Sequence, residues 1–456
     1  MRETRCQAPL KGTIASYLRP PLDLAYIAGA VYLHGCQSLI IDYPAEEKGW
    51  RDFEKDLLSY EPDYLVVNTT SFTVSKDLIA CKIAKKINKR IITTAKGAIF
   101  YHGYQKVFEL SEFLDIAVIN DEEMGFGEIA SGKKLSEITG IIYRSEHQVI
   151  KNEPRTITHL DSLPYPRREL INHRLYKRID TDEMQTSILI GRGCENGCIF
   201  CVAPIVNGNK CRYRSFDSVI EEINLCINNY NINSFTFYSD TFTNDRDWVR
   251  KLCKNLVHNN IKINWLCSSR ADCIDEETLI LMKKAGCWGI SIGVESGSQF
   301  ILDKINKKIT LSQVSDTVEL CKKHKIVTLL HFMIGFPWDD RNTINDTIRF
   351  ARHLKSTLVD FNLVTPFPGT PLTKMLQKSG LILDEEHLEG TNYQRAMIKT
   401  FYLNNDELEK YRNKAMKSFY LNIFFYINSL KQIKSVKHFI KCTSIMFKKI
   451  LISFLR

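Results

Sequence analysis

Two successive series of short apolar runs, spaced by segments of helix length, constrain this chain more than any other feature. In the first series Leu39-Ile40-Ile41, Tyr64-Leu65-Val66-Val67, Arg90-Ile91-Ile92 and Ile116-Ala117-Val118-Ile119 have the short, β-branched character of strands covered on both faces. Leu22–His34 and Lys76–Lys86 are long enough to be the intervening helices. Such alternation predicts a doubly wound, Rossmann-like α/β domain over residues 1–135. Residues 136–183 follow as a hairpin (Gly140–Asn152) and a linker marked by Pro164 and Pro166 in LDSLPYPRREL. The second series has candidate strands Thr186–Ile190, Ser234–Tyr238, Ile263–Cys267, Gly289–Val294, Thr328–Gly335 and Leu358–Leu363. Between them Phe216–Asn229, Arg246–Asn259, Glu276–Ala285, Ser312–His324 and Thr343–Lys355 read as helices. That order predicts a partial (β/α)6 TIM-like barrel over 184–375, with its active site at the strands' C-terminal ends. Residues 376–456 read as a C-terminal helical region.

Charge separates the last part from the rest. Eleven of the 62 Lys and Arg lie between Lys410 and Arg456, and none of the 52 Asp and Glu do. The body is therefore close to neutral, and the excess of +10 belongs to the tail. Ile423, Ile427, Leu430, Ile433, Val436 and Ile440 recur there at helical spacing beside Lys431, Lys434, Lys437 and Lys441. A basic amphipathic helix suits either peripheral contact with an anionic membrane or packing with solvated lysines. The apolar stretch FYLNIFFYI is too short to span a bilayer, and aromatics segregated with aliphatics argue against nucleic acid. The N-terminus MRETRCQAPLKG has no apolar signal core, so the expectation is a cytoplasmic protein. In that reducing setting, fourteen cysteines point to metal or catalytic sites rather than disulfides.

Three of those cysteines are clustered. GRGCENGCIFC directly follows the first barrel strand and places Cys194, Cys198 and Cys201 at its C-terminal end. Three close thiolates suit an iron–sulfur cluster with one iron left open, and Gly191, Gly193 and Gly197 let the backbone curl round it. A zinc site with Cys211 as fourth ligand, or three unrelated buried thiols, are the other readings of the same residues.

The motif CxxxCx(aromatic)C, with Phe200 as the aromatic, resembles the signature of the radical S-adenosylmethionine enzymes. The likeness continues strand by strand. FYSDTFTND resembles the second-strand motif, which implies that Tyr238, Ser239 and Asp240 hold the methionine amino group. Arg270 in WLCSSRADC is similar to the arginine that pairs with the methionine carboxylate. Ser291 and Glu295 in GISIGVESG match the ribose-contacting positions, and MIGFP and TPFPGTPL match the fifth- and sixth-strand signatures. The resemblance implies a [4Fe-4S] cluster, S-adenosylmethionine as cofactor, a 5′-deoxyadenosyl radical, and an electron donor such as flavodoxin or ferredoxin.

RPPLDLAYIAGAVYLHG, the hairpin and the LDSLPYP linker resemble the subgroup with an N-terminal cobalamin-binding-type domain. That subgroup includes carbon methyltransferases and the anaerobic magnesium-protoporphyrin ester cyclases. The likeness implies cobalamin contacts at Thr69, Thr70, Ser71 and Gly97, although AKGA stands where relatives carry a glycine-rich loop. A domain that no longer binds the corrin is the alternative. The substrate class implied is a hydrophobic, lipid-like small molecule. His331, on the fifth strand, faces either the substrate or an ordinary packed interior.

Overall fold

The computed structural model describes residues 18–146, 148–155, 159–178, 180–383 and 393–421. Five strands form the first sheet, in chain order: β1 (Tyr64–Asn68), β2 (Ile92–Lys96), β3 (Ile116–Val118), β4 (Ile141–Ser145) and β5 (Gln148–Lys151). β1, β2 and β3 are parallel, and the hairpin β4–β5 adds antiparallel to the edge. The sheet is therefore mixed. Helices Leu22–Tyr32 and Glu122–Ala130 pack on each other against one face. One expectation fails: Leu39-Ile40-Ile41 forms no strand. Leu39 is 48 % exposed, and Asp42 ties the following turn by accepting from the Ala45 amide, so local turn chemistry overrides the apolar run.

Six parallel strands make the second sheet: β6 (Gln185–Leu189), β9 (Ser234–Tyr238), β10 (Asn264–Ser269), β11 (Cys287–Glu295), β12 (Val327–Ile334) and β13 (Leu358–Leu363), adjacent in that sequence order. Between β6 and β9 a small antiparallel pair, β7 (Gly191–Arg192) with β8 (Arg212–Tyr213), closes the neck of the cysteine loop. The helices that follow open on capping side chains. Ser215, Asp245, Asp275, Thr310 and Asp340 each accept a backbone N–H from the first turn, which satisfies donors the helix itself cannot.

Exposure alternates along the barrel strands. In β12 Thr328, Leu330, Phe332 and Ile334 are buried, whereas Val327, Leu329, His331 and Met333 are half-buried. Period-two alternation places the first set under the helices and the second on the inner face of the partial barrel. Phe237 stacks on Trp265, and Phe332 on Phe361, within the helix-covered layer.

Two buried charge clusters and one aromatic plug join the sheets. Glu222 is fully buried and is bonded by Arg168 of the linker, by Arg214 and by the hydroxyl of Tyr26 from the first helix. Asp121 and Glu123, just past β3, hold Arg192 of β7, and Asp121 also holds Arg212 of β8. Phe72 meets Phe367 and Tyr393 edge-on. At the far edge helix Asn405–Tyr420 covers β13, with the Tyr420 hydroxyl donating to Val359 O at 2.7 Å. The basic amphipathic stripe beginning at Ile423 lies outside the described residues. Among those described, no helix is long and apolar enough to cross a membrane.

Candidate active site

The cysteine loop leaves β6 through Gly191 and Gly193, and its shape depends on glycine. Gly193 has φ +98°, and a Cβ there would lie 2.0 Å from Lys210 O. The loop is then pinned from four sides. Asp240, after β9, accepts from Gly193 N at 2.8 Å and from Asn207 Nδ2 at 3.0 Å. Asn306 donates to Gly197 O at 2.9 Å, Ile199 N to Ile305 O, and Leu372 N to Ile199 O. Phe200 packs against Phe336 of the fifth-strand turn, 5.7 Å between ring centroids.

Each thiol has its own donor. Asn196 Nδ2 approaches Cys194 Sγ at 3.3 Å, the Ala203 amide approaches Cys201 Sγ at 3.4 Å, and Arg270 Nη1 points to Cys198 Sγ at 3.8 Å. Burial holds the Cys198 thiol above its ordinary pKa, and the positive charges of Lys307 and Arg270 oppose that by favouring thiolate. Among the described residues no three His, Cys, Asp or Glu side chains converge as a single-ion site requires. Three separate thiols with N–H···S donors and cationic neighbours fit a multi-iron cluster, whose sulfur ligands take such bonds. Cys211 is otherwise engaged. It donates to Gly193 O and accepts from Asn244, while burial and the nearby Glu195 push its thiol up to about 11.

The remaining expected residues surround this loop. Arg270 is clamped by both oxygens of Asp272 (2.9 and 2.8 Å) and donates to Lys307 O at 2.7 Å. Its guanidinium plane is thus fixed before any ligand arrives. Glu295 sits at φ +72° beyond a bulge in β11 and pairs with Lys307 Nζ at 2.7 Å. A Cβ on Gly293 would meet that pair at 2.5 and 3.0 Å, so glycine makes its room. Ser291 Oγ lies 2.7 Å from His331 Nε2 on the inner face. Ser239 is buried and Tyr238 half-buried at the end of β9.

Two contributors carry no sequence signal of their own. Lys307 is one of two adjacent lysines in INKKI, and only the fold shows that it is the buried one facing Cys198. Asp339 accepts from the amides of Gly335 and Phe336 (both 2.9 Å) and from Thr343, and so sets the turn on which Phe200 rests. Burial raises its carboxyl to about 6 against those bonds.

In the N-terminal sheet the expected contacts are already bonded internally. Thr69 Oγ1 donates to Lys96 O at 2.9 Å, and Thr70 bonds Thr73 and Asp77. Ser71 is buried beside them, and a Cβ on Gly97 would lie 2.4 Å from Thr69 Oγ1. Thr69, Thr70 and Gly97 thus close the β1 and β2 ends on each other. Lys96 turns inward, fully buried, with its Nζ 2.6 Å from Asp23 and 2.7 Å from Glu122.

A family model described as the Radical SAM superfamily matches residues 188–351, from β6 to the helix after β12. Over 409 residues the chain is 30% identical to an uncharacterized methyltransferase of Pyrococcus horikoshii, covering 88% of each. Over 418 residues it is 23% identical to the anaerobic magnesium-protoporphyrin IX monomethyl ester cyclase of Rubrivivax gelatinosus, covering 89% of this chain and 74% of that one. Among solved structures, the cobalamin-dependent S-adenosylmethionine radical enzyme OxsB superposes with TM-score 0.73 at 16% identity, over 98% of this chain and 71% of that one. The radical S-adenosylmethionine methyltransferase TsrM of Kitasatospora setae gives 0.66 at 17% identity, over 81% and 77%. A cysteine loop at the mouth of a six-stranded partial barrel, behind an N-terminal sheet of the cobalamin-binding type, thus has its place: the chain belongs to the radical S-adenosylmethionine enzymes, which work with a [4Fe-4S] cluster and S-adenosylmethionine.

Proposed function

We propose that this enzyme functionalises an unactivated carbon of a hydrophobic small molecule, and that the reaction is a carbon methylation assisted by cobalamin. The observation that carries the reading is the open inner face of β10–β13 next to the cysteine loop. Leu266, Leu329 and Met333 line it, with Ser268, Ser291, His331, Asp360 and Asn362 as polar positions. Such a wall buries the apolar part of a substrate and orients it through its row of polar groups.

When both are bound, the cluster and S-adenosylmethionine supply a 5′-deoxyadenosyl radical that takes hydrogen from substrate, the electron coming from a flavodoxin- or ferredoxin-like donor. The chain's residues prepare that chemistry. Cys194, Cys198 and Cys201 would hold the cluster, and Phe200 would shield it. Arg270, with its plane locked by Asp272, suits the methionine carboxylate. Tyr238 and Ser239 remain at the β9 end for the amino group, whereas Asp240 supports the loop with one carboxylate oxygen. Ser291 and Glu295 lie on the strand that would carry the ribose.

Support for cobalamin lies at the N-terminal sheet. Asn68 Oδ1, Asn120 Oδ1 and Glu122 Oε1 are buried without a hydrogen-bond partner. Of the three, Glu122 lines a cavity between the sheets, with Asp23, Tyr26, Tyr101, Arg192 and Tyr238. An unpaired buried acceptor calls for a donor, and the amide-bearing periphery of a corrin offers one there. The relative named as a methyltransferase favours methylation, and the relatives named as cyclases support ring formation as a second reading.

The test is anaerobic. Protein reconstituted with iron and sulfide receives dithionite and S-adenosylmethionine, and 5′-deoxyadenosine is quantified. Corrin is measured by absorbance in protein from cobalamin-fed cells. Stoichiometric corrin with 5′-deoxyadenosine formation supports the reading. A full cluster with neither sinks it.

A further inference from the structure

The inner face of the barrel carries a polar line that the reading above leaves unused. Ser291 on β11, His331 on β12 and Asp360 on β13 come from three adjacent strands. His331 pairs in register with Asp360, and Ser291 lies diagonally across from it. Ser291 Oγ is 2.7 Å from His331 Nε2, and on the opposite side of the ring Asp360 Oδ2 is 3.9 Å from Nδ1. Both charged side chains stay about one third exposed, at 34% and 38%, between outward neighbours that are fully buried. Leu329 and Met333 beside His331 are apolar, Gly293 opposite it has no side chain, and Leu358 and Asn362 beside Asp360 are uncharged. The charge along β11 is Glu295, which is paired with Lys307 from the segment after the following helix. Asp360 is therefore the carboxylate that faces the ring on this surface.

We propose that His331, oriented by Asp360, is a positioning residue that sets the direction of the Ser291 hydroxyl toward the ribose of S-adenosylmethionine. The proposal rests on the radical reading and on Ser291 as the ribose-facing position. A carboxylate on the Nδ1 side favours the tautomer with its proton there, which leaves Nε2 as an acceptor. Ser291 then donates to Nε2, and both of its lone pairs remain open to a ribose hydroxyl. The hydroxyl is thereby held in one direction, as an acceptor site for the ribose.

The test is equilibrium dialysis of radiolabelled S-adenosylmethionine against the anaerobically reconstituted full chain, without reductant. Wild type is compared with His331→Phe, which cannot accept from Ser291, and with His331→Gln, which can, each in Ser291 and Ser291→Ala backgrounds. One neutral hydrogen bond predicts a Kd about two- to tenfold weaker for His331→Phe. His331→Gln should recover part of that loss, and the loss should be absent in the Ser291→Ala background. A loss that survives in the Ser291→Ala background, or that His331→Gln does not reduce, overturns the proposal, since a merely structural histidine behaves so. Dithionite added to parallel samples separates the two levels. A Ser291-dependent loss without 5′-deoxyadenosine keeps the array and sinks the radical reading; 5′-deoxyadenosine without a Ser291-dependent loss does the reverse.

Discussion

The two sheets of this molecule share a parallel core and differ in what covers them. In the N-terminal sheet β3 is buried on both faces, with Ile116, Ala117 and Val118 almost inaccessible. In the barrel sheet every second residue of β12 and β13 faces an open interior. The first sheet is a wall whose use is confined to its strand ends. The second is a wall on one side and a binding surface on the other. The chemistry-bearing residues follow that division. Ser291, His331 and Asp360 lie along strands of the second sheet, whereas the first sheet offers only the loop residues past β1, β2 and β3.

The cysteine loop gives the sharpest test of where function resides. Cys194→Ala, Cys198→Ala, Cys201→Ala in one chain is expected to abolish 5′-deoxyadenosine formation completely while leaving the thermal midpoint within a few degrees. All three thiols are only partly buried, and the loop is held mainly by backbone and Asp240 contacts. A variant that fails to fold would show instead that the cluster holds the barrel closed. A variant that folds and still makes 5′-deoxyadenosine would remove the site.

Much of this division was legible in the sequence. All six barrel strands lie where the apolar runs predicted them, because a helix-covered parallel strand must be short, apolar and punctuated. The cysteine spacing and the glycines around it marked the loop. What stayed hidden depended on neighbours distant in the chain. Lys307 cannot be told from Lys308 until the chain folds and one of them meets Glu295. The lysine of AKGA, Lys96, stands in the sequence where relatives carry a glycine-rich loop, and only the helices Leu22–Tyr32 and Glu122–Ala130 show that Asp23 and Glu122 draw it inward. Leu39–Ile41 shows the reverse error: the local pattern was strand-like, but a turn built on Asp42 prevailed.

The joint between the sheets is the next place to break the comparison. Glu222→Gln leaves Arg168 and Arg214 buried with no carboxylate between them. Uncompensated buried charge of this kind costs about 3–5 kcal/mol. Chemical denaturation should show that loss, together with an earlier separation of the first sheet from the barrel. A loss below about 1 kcal/mol would mean that the two arginines find water or other partners.

Within the barrel sheet, adjacent leucines of one strand separate the two faces. Leu330 is fully buried under the helices, and Leu330→Ala should cost about 2–5 kcal/mol. Leu329, one residue earlier, is half-buried on the inner face, and Leu329→Ala should cost less than about 1 kcal/mol. In β3 both faces are covered: Ile116→Ala should cost about 2–5 kcal/mol, and Ala117→Gly, which removes a single methyl from the opposite face, still about 0.5–1 kcal/mol. Equal costs at Leu329 and Leu330 would mean that the barrel interior is packed shut, and that its role as the substrate wall is wrong.

The smallest effect concerns pH and again sits at the joint. His173 follows the linker, stacks on Tyr230 with 4.6 Å between ring centroids, and bonds Arg168 O through Nε2 at 3.0 Å. Burial, and then the charge of Arg168, lower its pKa to about 4. In the unfolded chain the same group titrates near 6.5. Between those values the unfolded state binds more protons, so stability rises with pH. The contribution of a neutral His173 is therefore fully present above about 6.5 and is lost as pH falls toward 4. His173→Gln keeps an N–H for Arg168 O but cannot take up the proton. Thermal midpoints measured at pH 7.5, 6.5 and 5.5 should fall more steeply for wild type than for the variant. Parallel slopes would place the acid sensitivity of the joint elsewhere, with the carboxylate of Glu222, which against its burial is held below its ordinary range by Arg168 and Arg214, as the group that then has to account for it.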